Sequence, residues 1–365
     1  MEDSHGLVEE INGRRASTPT YCVTGANGYI GSWLVKVLLE RGYMVHATVR
    51  DPDKMRPQFS AKLLHLISLW GGGERLRLFK ADLQEEGSFD EAVEGCDGVF
   101  HVAASMEFTA AENENIENYV QLKIIDPAIK GTLNILKSCT KSKSVKKVVF
   151  TSSISTLTAK DSIGKWRKVT DETCQNSVSH VWKTKASGWV YVLSKILSEE
   201  AAFQYANDND IDLISVITTT VAGPFLTSSV PSSVQVLLSP ITGDAKFFSI
   251  LSAVNTRMGS IALVHIEDIC DAHIFLMEHT KATLGRYICC ANSCLLSQLA
   301  KFLAKEYPCS NLQSFAEEEN GSIPSEISSK KLSELGFKYK HDIKQIIRDA
   351  VCCAVDYGFL QSIKK

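Results

Sequence analysis

The chain has 365 residues, and 39 Lys and Arg stand against 42 Asp and Glu for a formal charge of −3. That balance excludes the basic footprint of a nucleic-acid binder, and no apolar run nears the roughly 20 residues that span a bilayer. With 44% hydrophobic and 22% charged residues the composition is that of a globular protein large enough for one sizeable α/β domain and a smaller lobe.

Residues 1–19 are polar, carry Glu9, Glu10, Arg14 and Arg15, and lack an apolar core, so they are expected to form a disordered leader. The 11 cysteines are odd in number and contain no CxxC. Cys22, Cys270, Cys289 and Cys290 lie in apolar runs, where a free thiol acts as a small hydrophobe. A reduced, cytoplasmic protein is expected, as a monomer or weak homodimer. The sequon Asn320-Gly321-Ser322 has no secretory context.

Apolar, β-branched runs then alternate with amphipathic stretches. Strands are predicted over 21–24, 44–49, 75–80, 98–103, 146–151 and 212–218, and helices over 32–41, 89–93, 131–140 and 190–207. Six strands with crossover helices predict an α/β fold, a doubly wound parallel sheet of Rossmann type, over 20–221. From 222 the alternation breaks. Pro224, Pro231 and Pro240 mark a Ser/Pro-rich stretch expected to form loops and short helices near a substrate. Helices at 297–306 and 341–358 complete a smaller lobe, 222–365, some of which returns to the first domain.

The run VTGANGYIGS at 23–32 follows a strand and opens a helix. Gly25 would permit the tight turn, Gly28 the close approach of a pyrophosphate, and Gly31 the packing of helix on strand. Asn27, Tyr29 and Ile30 complete the cradle. A glycine triplet alone is weak evidence, but the strands and helix fall where dinucleotide binding needs them. At the end of the second strand, where an NAD enzyme usually presents an acid to the ribose 2′-hydroxyl, the chain reads TVRDPDK. Arg50 can clamp a 2′-phosphate, with Lys54 or Arg56 as a second charge and Asp51 as the competing acid. NADPH is therefore the expected cofactor. Asp82 and Leu83 should meet the adenine edge, and Val102 and Ala103 should pass beneath the ribose and pyrophosphate.

Carbonyl reduction needs a proton donor for the developing alkoxide. A tyrosine paired with a lysine four residues on can serve, because both share one helix face. Two such pairs occur, Tyr119–Lys123 and Tyr191–Lys195. The second opens the helix after the strand ending Phe150-Thr151-Ser152-Ser153, at the carboxyl edge where ligands bind. Tyr119 reads as a surface helix residue. Ser153 would hydrogen-bond the substrate oxygen, with Ser152 as the alternative hydroxyl. Tyr191 would donate the proton, and Lys195 would lower the tyrosine pKa and hold the nicotinamide ribose. His265 reads as a structural contact ahead of the first-turn acids Glu267 and Asp268, and no metal-ligand cluster is expected.

These motifs, with GSFDEAVEGCDGVFHVA at 87–103, SPITGD at 239–244, HIEDICDAHIFLME at 265–278 and GRYICCA at 285–291, make the chain resemble the extended short-chain dehydrogenases. Within these it is similar to the plant dihydroflavonol 4-reductases and anthocyanidin reductases, most of all the latter. The resemblance covers about 20–359. It places the family's catalytic serine, tyrosine and lysine on Ser153, Tyr191 and Lys195, and its 2′-phosphate arginine on Arg50. It implies a planar phenolic substrate, with contacts expected from Ser105 and Thr158. Departures are Thr158, where dihydroflavonol reductases place asparagine, Thr218-Thr219-Thr220 in place of Pro-Thr, and a longer 112–125 segment. The expected activity is anthocyanidin-reductase-like. The alternatives are a dihydroflavonol or other phenylpropanoid ketone reductase and, in another class, a non-catalytic NADP-binding regulatory protein.

Overall fold

The structure is a computed structural model that describes residues 18–51, 72–104, 115–308 and 322–361, so most of the expected leader lies outside it. Along the chain, β1 (Thr20–Val23), α1 (Tyr29–Glu40), β2 (Met44–Val49), β3 (Leu76–Lys80), α2 (Asp90–Val93) and β4 (Gly98–His101) come first. Then follow α3 (Asp126–Ser142), β5 (Lys147–Ser153), α4 (Trp189–Asp208) and β6 (Asp212–Thr218). The remainder contributes β7 (Thr220–Ala222), α5 (Ser232–Thr242), α6 (Ala245–Met258), β8 (Ile261–His265) and α7 (Ile266–Glu278). It ends with β9 (Gly285–Cys289), β10 (Asn292–Cys294), α8 (Leu296–Glu306) and α9 (Ile343–Asp356).

A seven-stranded parallel sheet runs in the order β9-β6-β5-β4-β1-β2-β3. β5 and β6 are buried along nearly their whole length, which explains why they read as continuous apolar runs rather than alternating ones. Helices α1 and α7 cover one face; α3 and α4 cover the other. A smaller sheet, β10-β8-β7, packs with α5, α6, α8 and α9 around a second apolar core built on Leu237, Leu251, Leu263, Leu303, Ile346 and Ile347.

Two expectations are corrected. The sheet has a seventh strand, β9, paired in parallel with β6 beyond the predicted six. The Ser/Pro-rich stretch holds two well-formed helices of 11 and 14 residues rather than short pieces. Pro231 sits at the N-cap of α5, where no amide hydrogen is needed, and Pro240 lies inside the helix. The carbonyl that Pro240 leaves without its usual donor is that of Val236, and the Ser239 hydroxyl donates to it at 2.7 Å. The 112–125 segment is largely helical where described: Ile116–Val120 runs into a π-turn at Gln121–Ile125 and on into α3.

His101, His265 and His273 are buried without charge. Burial, with the Lys195 charge beside it, pushes His101 down to about 3. Burial likewise takes His265 and His273 to about 4. Each binds a proton in the unfolded chain near pH 6.5 but not in the folded one, so stability rises with pH across that interval. As pH falls from about 6.5 towards 4, each histidine is expected to cost about 1.4 kcal/mol per pH unit. Urea midpoints at pH 7.5, 6 and 5 check this; a midpoint flat over that range would contradict it.

Candidate active site

The loop from β1 to α1 is shaped by two glycines. Gly25 has φ +66°, and a Cβ there would lie 2.9 Å from the Ala103 Cα. At Gly31 a Cβ would come within 2.2 Å of the Gly25 carbonyl oxygen, so only glycine lets α1 start this close to β1. Asn27 and Gly28 are exposed at the head of α1, which has no side-chain cap and no acid in its first turn. Its first amide groups and the positive end of its dipole are therefore open to an anion, the chemistry a dinucleotide pyrophosphate fits.

Thr24 fixes the floor beneath that loop. Its hydroxyl accepts from the Val102 and Ala103 amides, both at 3.0 Å, and lies 3.0 Å from His101 Nδ1. With two donors entering, the Thr24 proton goes to Nδ1, which leaves the His101 proton on Nε2. Tyr29 begins α1, but its hydroxyl donates to the Gly223 carbonyl at 3.2 Å and its ring packs into both cores, so the side chain ties the lobes together. Ile30 packs against the first core. Arg50 is exposed at the end of β2 and makes no ion pair among the described residues. Asp82 caps its own turn by accepting from the Gln84 amide at 2.8 Å. Leu83 packs against Gly131 of α3, and its carbonyl accepts from Asn134 at 2.8 Å. Lys54, Arg56 and Ser105 lie outside the described residues.

Ser153, Tyr191 and Lys195 meet at the carboxyl edge of the sheet. Ser153 closes β5, and its hydroxyl accepts from the Ser155 amide at 3.2 Å while sharing a hydrogen bond with the Tyr191 hydroxyl. The neighbouring Ser152 Oγ is buried with no hydrogen-bond partner. Tyr191 lies in the first turn of α4, behind Gly188 at φ +79°, where the helix dipole favours negative charge. Burial raises its pKa, while the Ser153 hydrogen bond and the Arg257 charge pull it down. The Lys195 ammonium donates to the Thr151 carbonyl at 3.2 Å and stands 5.9 Å from the centre of the Tyr191 ring. Burial lowers Lys195 to about 8, and Glu199 opposes that fall.

The sequence did not point to Arg257 of α6, whose charge also favours ionisation of Tyr191, and the Lys195 ammonium donates to the β5 backbone. A second pairing was not foreseen at all. Glu199, one turn beyond Lys195, binds Arg286 of β9 at 2.9 Å and accepts from the Ser215 hydroxyl. Arg286 also donates to the Thr156 hydroxyl and the Glu172 carbonyl, each at 2.8 Å. No motif announces these residues, since their partners come together only when β9 joins the sheet.

The Tyr119–Lys123 pair is not part of this edge. Tyr119 is half-buried against the apolar face shared with α4, not on an open surface, and Lys123 is exposed. Thr158 is half-buried; its amide donates to the Cys174 carbonyl at 2.9 Å and its hydroxyl accepts from the Lys160 backbone amide at 3.3 Å. His265 caps α7 through Nδ1, which accepts from the Glu267 amide at 3.2 Å. Contrary to the expected absence of any ligand cluster, His265, Glu267 and His341 bring donor atoms within 4.8 Å of one another. The two imidazoles are stacked at 3.8 Å and 23°, so their in-plane lone pairs run side by side rather than converge.

The model of the NAD dependent epimerase/dehydratase family matches residues 21–289. The chain belongs to this family. A Ginkgo biloba protein provisionally named an anthocyanidin reductase is 46% identical over 92% of this chain and 94% of its own length. An Arabidopsis thaliana dihydroflavonol 4-reductase is 42% identical over 93% of this chain and 84% of its own. The crystal structure of vestitone reductase from alfalfa has 30% identity and a TM-score of 0.73, with 93% of this chain and 99% of that one covered. This family member is an oxidoreductase built as an extended short-chain dehydrogenase. No helix among its described residues is long and apolar enough to cross a membrane.

Proposed function

We propose that the protein is an NADPH-dependent reductase of a flavonoid-type substrate, acting as anthocyanidin reductases do. The observation that carries this is the meeting of Ser153, Tyr191 and Lys195 at the sheet edge beside an uncapped helix start. When bound, the nucleotide supplies the hydride. Ser153 hydrogen-bonds the substrate oxygen. Tyr191, kept protonated by burial, gives its proton to that oxygen or to the equivalent enolate, and Lys195 reaches the nicotinamide ribose. Gly25, Asn27, Gly28, Tyr29, Ile30 and Gly31 hold the pyrophosphate. Asp82 and Leu83 flank the adenine, Val102 and Ala103 form the floor, and Lys54 adds charge beside Arg50.

Thr158 favours an anthocyanidin over a dihydroflavonol. A threonine hydroxyl already engaged by Lys160 offers a phenolic ring fewer bonds than the donor and acceptor of an asparagine amide. The dihydroflavonol reading stays in view because similar relatives carry that name. Ten free cysteines among the described residues, nine of them buried, fit a reducing, cytoplasmic setting, and a monomer or weak homodimer is the assembly we assign.

Arg50 decides the nucleotide. Arg50→Ala is expected to weaken NADPH binding by about ten- to a hundredfold, the loss of a charge-assisted pair worth about 1.5–3 kcal/mol, and to leave NADH nearly unchanged. Titration of both nucleotides by fluorescence checks this; an equal loss for both would remove the 2′-phosphate contact from the account.

A further inference from the structure

The row of the sheet that underlies Lys195 ends on a cation. Strand register sets His101, Phe150, Ser215 and Arg286 side by side on β4, β5, β6 and β9, so their side chains share one face. Lys195 stands over this row, 5.8 Å from the centre of the Phe150 ring. Glu199 follows one turn later on the same side of α4 and meets Ser215 and Arg286.

The half-buried Arg286 is spread over three partners from different parts of the site. Its Nη2 donates to the Glu199 carboxylate at 2.9 Å and to the Thr156 hydroxyl at 2.8 Å, and its Nη1 donates to the Glu172 carbonyl at 2.8 Å. Thr156 is fully buried, and its hydroxyl passes the bond on by donating to the Ser153 carbonyl at 2.9 Å. Thr156 also ends the single turn, Ile154–Thr156, that the Ser153 hydroxyl caps. One guanidinium nitrogen therefore grips both α4, which carries Tyr191 and Lys195, and the turn that follows Ser153. The Glu172 carboxylate accepts from the Ile288 amide at 2.9 Å, so the segment between Thr156 and Glu172, Thr158 included, is fastened to β9 at both ends.

A buried ion pair adds little net stability over apolar side chains of the same volume, because desolvating two charges offsets most of their attraction. What this pair supplies is fixed geometry, and the planar fork of an arginine suits it by setting several bonds at once. Catalysis at this edge needs two hydroxyls, one on a strand end and one on a helix, held in register with each other. We propose that Arg286 is a positioning residue for the reaction: by holding Glu199 and Thr156 together, it sets the Ser153 hydroxyl against the Tyr191 hydroxyl. This rests on Ser153 and Tyr191 as the pair that meets the substrate oxygen.

Thr156→Val tests it, since the swap deletes the linking hydroxyl and leaves Arg286, Glu199 and every charge in place. Thr156→Ser keeps the hydroxyl, and Arg286→Lys keeps a charge facing Glu199 but not the fork. With an anthocyanidin as substrate, Thr156→Val and Arg286→Lys should lower kcat and kcat/KM together by about 10- to 100-fold, because a misplacement on the order of 1 Å at the reacting groups costs that much. NADPH affinity should not change, and Thr156→Ser should turn over near the wild-type rate. Rates are read well below each melting temperature, so that lost stability is not counted as lost rate. Ultraviolet titration of tyrosinate, less the same protein carrying Tyr191→Phe, reads the Ser153 bond without any substrate. Loss of that bond should raise the Tyr191 midpoint by about 0.5–1 pH unit in Thr156→Val and in Arg286→Lys. A folded Thr156→Val that melts lower yet keeps the wild-type kcat would overturn the proposal, leaving the cluster a purely structural role. Thr156→Ser as slow as Thr156→Val would overturn it too, and so would Arg286→Lys with both kcat and the Tyr191 midpoint unmoved. Retained turnover in Tyr191→Phe would instead remove the reading on which it rests.

Discussion

Tyr191→Phe is expected to lower kcat by about 100- to 10,000-fold with little change in NADPH affinity or melting temperature. The substitution removes one oxygen and keeps the ring that packs in the first turn of α4. What disappears is the group hydrogen-bonded to Ser153 and poised at the sheet edge. Ser153 and the bound nucleotide remain, so some hydride transfer persists without a positioned acid. Steady-state kinetics and a nucleotide titration on the same preparation check the split. A parallel loss of NADPH binding would mean that Tyr191 serves the nucleotide rather than the proton.

The second large effect concerns stability. Glu199 is buried, and it holds Arg286, Ser215 and, through its charge, the Lys195 ammonium in one cluster. Glu199→Ala leaves the Arg286 guanidinium nearly buried without its carboxylate, a change that costs about 3–5 kcal/mol. For a chain of this size that lowers the melting temperature on the order of 10 °C. Lys195 should also titrate below its present value of about 8, since the charge that opposed its burial is gone. The double change Glu199→Leu with Arg286→Met removes both charges and is expected to recover most of the stability. Thermal melts of the three proteins decide it; an unshifted single variant would show that the pair carries no weight.

What could be read from the sequence was local. The fingerprint is legible because Gly25 and Gly31 answer to contacts within ten residues or to the strand just beside them. Chain order was enough to prefer Tyr191–Lys195 over Tyr119–Lys123, since a helix following β5 must return along that strand. Pattern alone preferred Ser153 and kept Ser152 as the alternative, because a one-residue change of register swaps the two faces of a strand. β9 escaped notice because a five-residue strand that opens on Gly285 and Arg286 is too short an apolar run to show a period. Pro240 argued against a helix that Ser239 makes possible by a bond no propensity encodes. Arg257 and the Glu199–Arg286 pair were invisible for a different reason: each joins residues far apart in sequence, and only the packed lobes bring them together.

The most direct test of a flavonoid reductase is the fate of the hydride. NADPH deuterated at nicotinamide C4 is incubated with the purified protein and an anthocyanidin, with a dihydroflavonol in parallel, and products are read by mass spectrometry. The account predicts that one deuterium enters the flavonoid for each NADPH consumed, faster with the anthocyanidin, and that Tyr191→Phe loses the transfer. Tight NADPH binding with no label in either flavonoid would contradict it.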